Sequence, residues 1–150
     1  MQRRLIIDTN LLLLLVIGAV EEGRHIHNSN RLNAFSVSDF DNVVKIMSEY
    51  DEIFITPYIA TEVSNLIDLD GHAKLLAYEV ARNLFCNIFK KIDIDIDEDC
   101  RSENFLRFGI TDSSLIKLAP NYFILTCDHR LLIPLFESSM DTIIPYVCEK

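Results

Sequence analysis

No two of the four cysteines, Cys86, Cys100, Cys127 and Cys148, stand close enough in sequence to form a C-x-x-C pair or a Cys/His cluster. That spacing argues against a zinc site. It leaves free, mostly buried thiols in a reducing cytoplasm as the simplest reading. An apolar run of membrane-spanning length is missing as well. A bilayer needs about 20 such residues, and the uninterrupted stretch Leu11–Ile17, even extended to Val20, falls far short. The opening has the outline of a secretion signal, with Arg3 and Arg4, an apolar segment and then Gly18-Ala19-Val20. Asp8, Thr9 and Asn10 break that outline, because an Asp inside an inserting helix costs about 2.5–3.5 kcal/mol. Positive charge is scarce too: 14 Lys and Arg face 23 Asp and Glu, for a net charge of -9. A broad basic surface for holding phosphate is therefore excluded. Nucleic acid could be held only through a bridging cation or a local patch such as Arg24, His25, His27 and Arg31; the plainer reading of the acidity is a solubilising surface.

There is no internal repeat, low-complexity tract or linker, and 49% apolar content is enough to build a core. These features predict one domain over residues 1–150. Apolar runs of strand length alternate with segments of helical period. RLII (4–7), EIFIT (52–56), YFILT (122–126) and TIIPYV (142–147) read as strands, the last at a sheet edge because of Pro145. KKIDIDID (90–97) alternates apolar and charged residues and reads as a half-exposed strand, with the acids of IDIDIDED (92–99) on a solvated face. Between the strands, Leu11–Val20 predicts a buried helix, covered by the chain's own domain or by a second copy. Ser38 predicts the N-cap of a helix reaching Tyr50, and Thr56-Pro57 opens another. Residues 72–89 form a long core-facing helix, 101–108 a short one, Thr111-Asp112 caps a helix through Ala119, and HRLLIPLFESS breaks near Pro134. Residues 21–37 read as a polar, mobile loop. The pattern is an α/β three-layer sandwich with a mainly parallel sheet of about five strands.

The acids fall at informative places. Asp8 follows the first strand directly, Glu62 lies in the second turn of the helix after EIFIT, Asp112 sits at a helix N-terminus, and Asp128 comes two residues after YFIL-T. In an open parallel sheet the crevice lies at the carboxyl ends of the strands, where strand order reverses. Two carboxylates about 4 Å apart repel by about 4 kcal/mol at an effective dielectric of 20, so convergence demands protons or a cation. A hard divalent ion, Mg²⁺ or Mn²⁺, suits all-oxygen ligands and serves phosphodiester hydrolysis without a His or Cys nucleophile. Each acid also has a plain reading: Asp112 a cap, Asp128 a turn former, Glu62 a solvated helix residue. Asp8, between two buried runs, is the hardest to leave unpartnered. Thr9 and Asn10 are either turn formers or groups that orient Asp8 by hydrogen bonding.

LIIDTN, TPYIATEVSNL, GITDSSLIKLA and ILTCDHRL, in this order over nearly the whole chain, resemble the four acidic motifs of PIN domains, metal-dependent ribonucleases found in bacterial toxins and RNA-processing enzymes. The resemblance implies that Asp8, Glu62, Asp112 and Asp128 bind the metal and carry catalysis, with Asn10 and Thr126 in support. It implies an RNA substrate cut by a metal-activated water to leave a 5′-phosphate, and a restraining protein partner if the chain is a toxin. Arg130 is the candidate for a substrate-backbone contact. Two features depart from the toxin pattern: Cys127 stands where a basic residue often precedes the last Asp, and 21–37 is long for the first connection. The alternatives are a catalytically inactive PIN-like module that docks a protein or RNA, and a phospho-accepting signalling domain. The second normally wants a Lys after the late strand, where this chain has Cys127-Asp128.

Overall fold

Leu5, Ile6 and Ile7 are fully or almost fully buried, as befits a strand covered on both faces. They belong to β1 (Arg4–Ile7), the central strand of a five-stranded, all-parallel sheet. The computed structural model describes residues 2–149. In chain order β1 is followed by α1 (Thr9–Gly18), a 3₁₀ segment (Glu21–Ile26), α2 (Val37–Ser48), β2 (Glu52–Ile55), α3 (Pro57–Leu66) and α4 (Gly71–Asn83). A π turn (Leu84–Ile88) leads to β3 (Lys90–Lys91), α5 (Ile96–Arg101), α6 (Glu103–Phe108), α7 (Ile110–Leu118), β4 (Phe123–Thr126), α8 (His129–Ser138) and β5 (Ile143–Pro145).

The strand order is β3-β2-β1-β4-β5, with Leu5 in register with both Ile53 and Phe123. The chain thus steps one way from β1 to β3, crosses over, and steps the other way from β4 to β5. Right-handed crossovers place the helices of the two halves on opposite faces. The packing agrees: α1 contacts α2, α3 and α4, whereas α7 contacts α5, α6 and α8 and touches the other half at α3. The switch point falls between β1 and β4, which is where Asp8 and Asp128 emerge.

The leucine run is the frame of one layer. Leu11 to Gly18 are all buried, and α1 has no polar face because sheet and helices surround it. Among the described residues no helix is long and apolar enough to cross a membrane. Gly18 lets α2 approach: a Cβ there would stand 2.3 Å from Phe40 Cδ2.

Several boundaries differ from the sequence pattern. Residues 21–37 do not form a plain loop. Gly23, Ile26, Ser29, Leu32 and Phe35 are buried, and Asp68 accepts from Ser29 Oγ, Asn30 N and Arg31 N at 2.6, 2.9 and 3.3 Å. The turn leaving α1 carries three successive positive φ angles, at Glu21, Glu22 and Gly23. The N-cap of α2 is Ser36 rather than Ser38, in a capping box with Asp39. Strand β3 is two residues long instead of eight, because Asp95 caps α5 and turns the alternating segment into a helix. Its acids do not all face water: Asp99 is 1% exposed, accepts from Tyr58 Oη at 2.6 Å and pairs with Lys117 at 2.8 Å. Pro134 does not break α8; the helix runs through it. The thiols are free, but Cys86 is exposed and the other three are only partly covered.

Candidate active site

Each carboxylate reaches the switch point from a different element. Asp8 is the N-cap of α1: its Oδ1 accepts from Thr9 N at 2.7 Å, in the favourable field of the helix start. Its Oδ2 accepts from Thr126 Oγ1 at 2.7 Å. Asp128 caps α8 by accepting from Arg130 N at 3.0 Å, and its own N–H donates to Thr126 Oγ1 at 3.1 Å. The last residue of β4 therefore ties together the two aspartates that leave β1 and β4.

Glu62, on α3, is held by two threonines. Thr9 Oγ1 donates to its Oε1 at 3.2 Å, and Thr111 Oγ1 donates to its Oε2. Asp112 lies in the first turn of α7, whose N-cap is Gly109, so the expected capping role for Thr111-Asp112 is not met. Arg130 Nη2 stands 4.0 Å from Asp112 Oδ2, at the edge of an ion pair.

The electrostatics register the convergence. Burial is the main cause that raises Asp112, to about 7, and the charges of Asp8, Asp128 and Glu62 raise it further, against a small opposing pull from Arg130. Asp8 is also raised, first by burial and then by the charges of Asp128 and Glu62, while the hydrogen bonds from Thr126 and Thr9 work against the rise. Cys127 is pushed up to about 12, by burial first and then by Asp8, which leaves it a thiol rather than a thiolate nucleophile.

The expected four acids thus come near enough that the charges of Glu62 and Asp128 reach both Asp8 and Asp112. Thr9 and Thr126 support them, but in a different division of labour: the Thr9 hydroxyl serves Glu62, and only its backbone N–H serves Asp8. Asn10 is exposed and makes no side-chain hydrogen bond among the described residues, so it gives Asp8 no such support there. Thr111 went unrecognised as a Glu62 partner. Its one signal in the sequence is a hydroxyl beside Asp112, which serves a cap as readily. In the patch Arg24, His25, His27 and Arg31, His25 binds Glu21 and Asn28 at 3.0 Å each, and Arg24 pairs with Glu21 at 3.5 Å.

In donor chemistry, Asp112 and the three carboxylates that act on it suit a hard divalent cation. In arrangement they fall short of a closed ligand set. Among the described residues no group of three or more His, Cys, Asp or Glu side chains is placed to hold a metal ion. Both oxygens of Asp8 and both of Glu62 are turned to their hydrogen-bond donors instead.

No protein-family model matches the chain, and no curated protein matches its sequence.

Proposed function

We propose that the chain is a PIN-type ribonuclease that hydrolyses RNA phosphodiester bonds with Mg²⁺ or Mn²⁺. The observation that carries this reading is the meeting of Asp8, Glu62, Asp112 and Asp128, tied by Thr126, Thr9 and Thr111, close enough that their charges add to burial in raising Asp112. Four acids from four elements form a negative cluster near the switch point of a parallel sheet, where an ion would replace the proton. Asp8, Asp112 and Asp128 would hold the ion, with Glu62 completing the set. When bound, it supplies an activated water and neutralises charge on the phosphate.

The chain's own residues prepare the rest. Thr126 and the start of α1 fix Asp8; Thr9 and Thr111 fix Glu62. Arg130 borders the acids and offers a positive group to a phosphate that the net charge of -9 would otherwise repel. The same reading carries a cytoplasmic setting and, for a toxin, an antitoxin-like partner that covers the acids.

A second reading has an observation in its favour. The lack of a ready three-ligand group among the described residues fits a PIN-like module that docks a protein or RNA without cutting it.

An RNA-cleavage assay with Mn²⁺ and Mg²⁺ separates the two, run on wild type, Asp8→Asn and Asp112→Asn with circular dichroism to verify folding. The ribonuclease reading expects cleavage that EDTA abolishes and that both variants lose. Cleavage surviving chelation or both substitutions would sink it, and no cleavage by any form would favour the module.

A further inference from the structure

Beside the acids, α6 and α8 enclose a cavity of about 400 Å³ whose lining includes Arg107, Phe108, His129, Arg130, Ile133 and Glu137. Two guanidiniums stand over one ring: Arg107 Cζ lies 5.2 Å and Arg130 Cζ 5.4 Å from the Phe108 centroid. Such contacts hold a cation by the ring's quadrupole and leave its charge intact.

The donors of these two arginines are largely unspent. Arg101 gives two N–H groups to Asp97 at 3.0 and 2.7 Å, and Arg4 gives one to Asn121 O at 2.8 Å. Among the described residues Arg107 makes no ion pair, and the nearest carboxylate to the Arg130 guanidinium is Asp112 at 4.0 Å. In a chain with nine more acids than bases, two guanidiniums meet over one aromatic ring in a cavity whose one lining acid among the described residues is Glu137.

Apolar surface adjoins the ring: Ile133, which is 72% accessible, and Pro134 line the same cavity. Positive charge for phosphate and a half-buried ring with an apolar rim for a base are the two needs of an unpaired nucleotide. The volume lies at the small end of the roughly 300–1,000 Å³ of ligand pockets, fit for one nucleotide rather than a duplex. Arg130 belongs to both the cavity and the acidic cluster, so a strand seated here runs towards Asp112.

We propose that the groove centred on Phe108, with Arg107 and Arg130, is a subsite for an unpaired nucleotide of single-stranded RNA flanking the bond at the carboxylates. The identity of the strand as RNA rests on the ribonuclease reading.

The test is fluorescence anisotropy of a short labelled oligouridylate in EDTA, where binding is scored without cleavage. Wild type, Phe108→Ala, Phe108→Trp and Arg107→Ala are compared, each verified by its melting curve. Phe108→Ala should weaken binding about tenfold or more, in the range for loss of one base stack, and Phe108→Trp should retain it. Arg107→Ala should weaken binding and lower the salt slope by about one. Duplex RNA should compete poorly. No measurable binding by wild type, or all variants within about twofold of it, would overturn the subsite. So would binding lost with Arg107→Ala, unchanged with Phe108→Ala and matched by polyglutamate, which would mark a plain anion patch.

The two readings fail separately. Phe108-dependent binding without Mn²⁺-dependent cleavage would remove the nuclease and keep the subsite, and cleavage with binding indifferent to Phe108 would do the reverse.

Discussion

The Thr126 hydroxyl donates to Asp8 Oδ2 at 2.7 Å across 118 residues of chain, so the end of β4 fixes the acid that ends β1. Asp8 is 8% exposed, and water cannot replace this donor. Replacing Thr126 with Val keeps the shape and removes the hydroxyl that also accepts from Asp128 N. An unsatisfied buried acceptor costs about 1–3 kcal/mol, so Thr126→Val should lower the urea-unfolding free energy by that amount at neutral pH. Thr126→Ser should lose less. Equal stability of the Val variant and wild type would show that the hydroxyl does not hold Asp8.

Asp112 makes the apo protein pH-sensitive in a definite direction. Its native pKa of about 7 stands above the ordinary 3.8, so the fold favours the protonated form. The resulting stability is fully present below about pH 4 and is lost as pH rises to about 7. At about 1.4 kcal/mol per unit, with relaxation reducing the full value, Asp112→Asn should stabilise the metal-free protein by about 1–4 kcal/mol near pH 8. Near pH 4 it should change little. Urea unfolding in EDTA at the two pH values measures this. A variant no more stable than wild type at the higher pH would mean that the neighbouring charges do not reach Asp112.

Four strands were legible as short apolar runs, β4 nearly all apolar, while β3, Lys90–Lys91, showed only through the alternation after it; Asp8 and Asp128 were legible because they follow such runs. Hydrogen-bond partners were not. Thr111 reaches Glu62 from 49 residues away, and no local pattern marks that distance. Alternation misled at IDIDIDED, where the period of a strand continues past β3 while Asp95 offers a helix cap that wins locally. Polarity misled at 21–37: the buried residues Gly23, Ile26, Ser29, Leu32 and Phe35 recur at every third position, but with Gly and Ser among them the apolar signal is too thin to show that period, and the anchor, Asp68, belongs to another part of the chain.

Gly18 sets the distance between α1 and α2. Its missing Cβ would sit 2.3 Å from Phe40 Cδ2, closer than any real contact. Ala favours a helix over Gly by about 1 kcal/mol, yet the overpacking costs about 1–3 kcal/mol. Gly18→Ala should therefore be neutral to destabilising, and Gly18→Val clearly destabilising. Phe40→Leu in the Gly18→Ala background should recover part of any loss, because the smaller side chain vacates the contact. Thermal melts of the three proteins decide it; a stabilised Gly18→Val would mean that α2 is free to shift.

Asp39, the capping-box acid of α2, is also the anchor of a distant segment. It is fully buried, and it accepts from Tyr146 Oη at 2.6 Å, Glu149 N at 3.0 Å and Ser36 N at 2.9 Å. Burial opposes its ionisation, yet hydrogen bonds led by Tyr146 outweigh that and hold the carboxyl below its ordinary range. The stability this contributes is present above about pH 4 and is lost as pH falls through the native value. Tyr146→Phe removes one donor to a charged acceptor, worth about 1.5–3 kcal/mol, and leaves Glu149 N as the remaining hold of Asp39 on the segment after β5. The loss should be full at neutral pH and shrink in acid. Urea unfolding at both pH values, with hydrogen exchange at Glu149, would show it; a pH-independent loss would place the effect in packing of the ring instead.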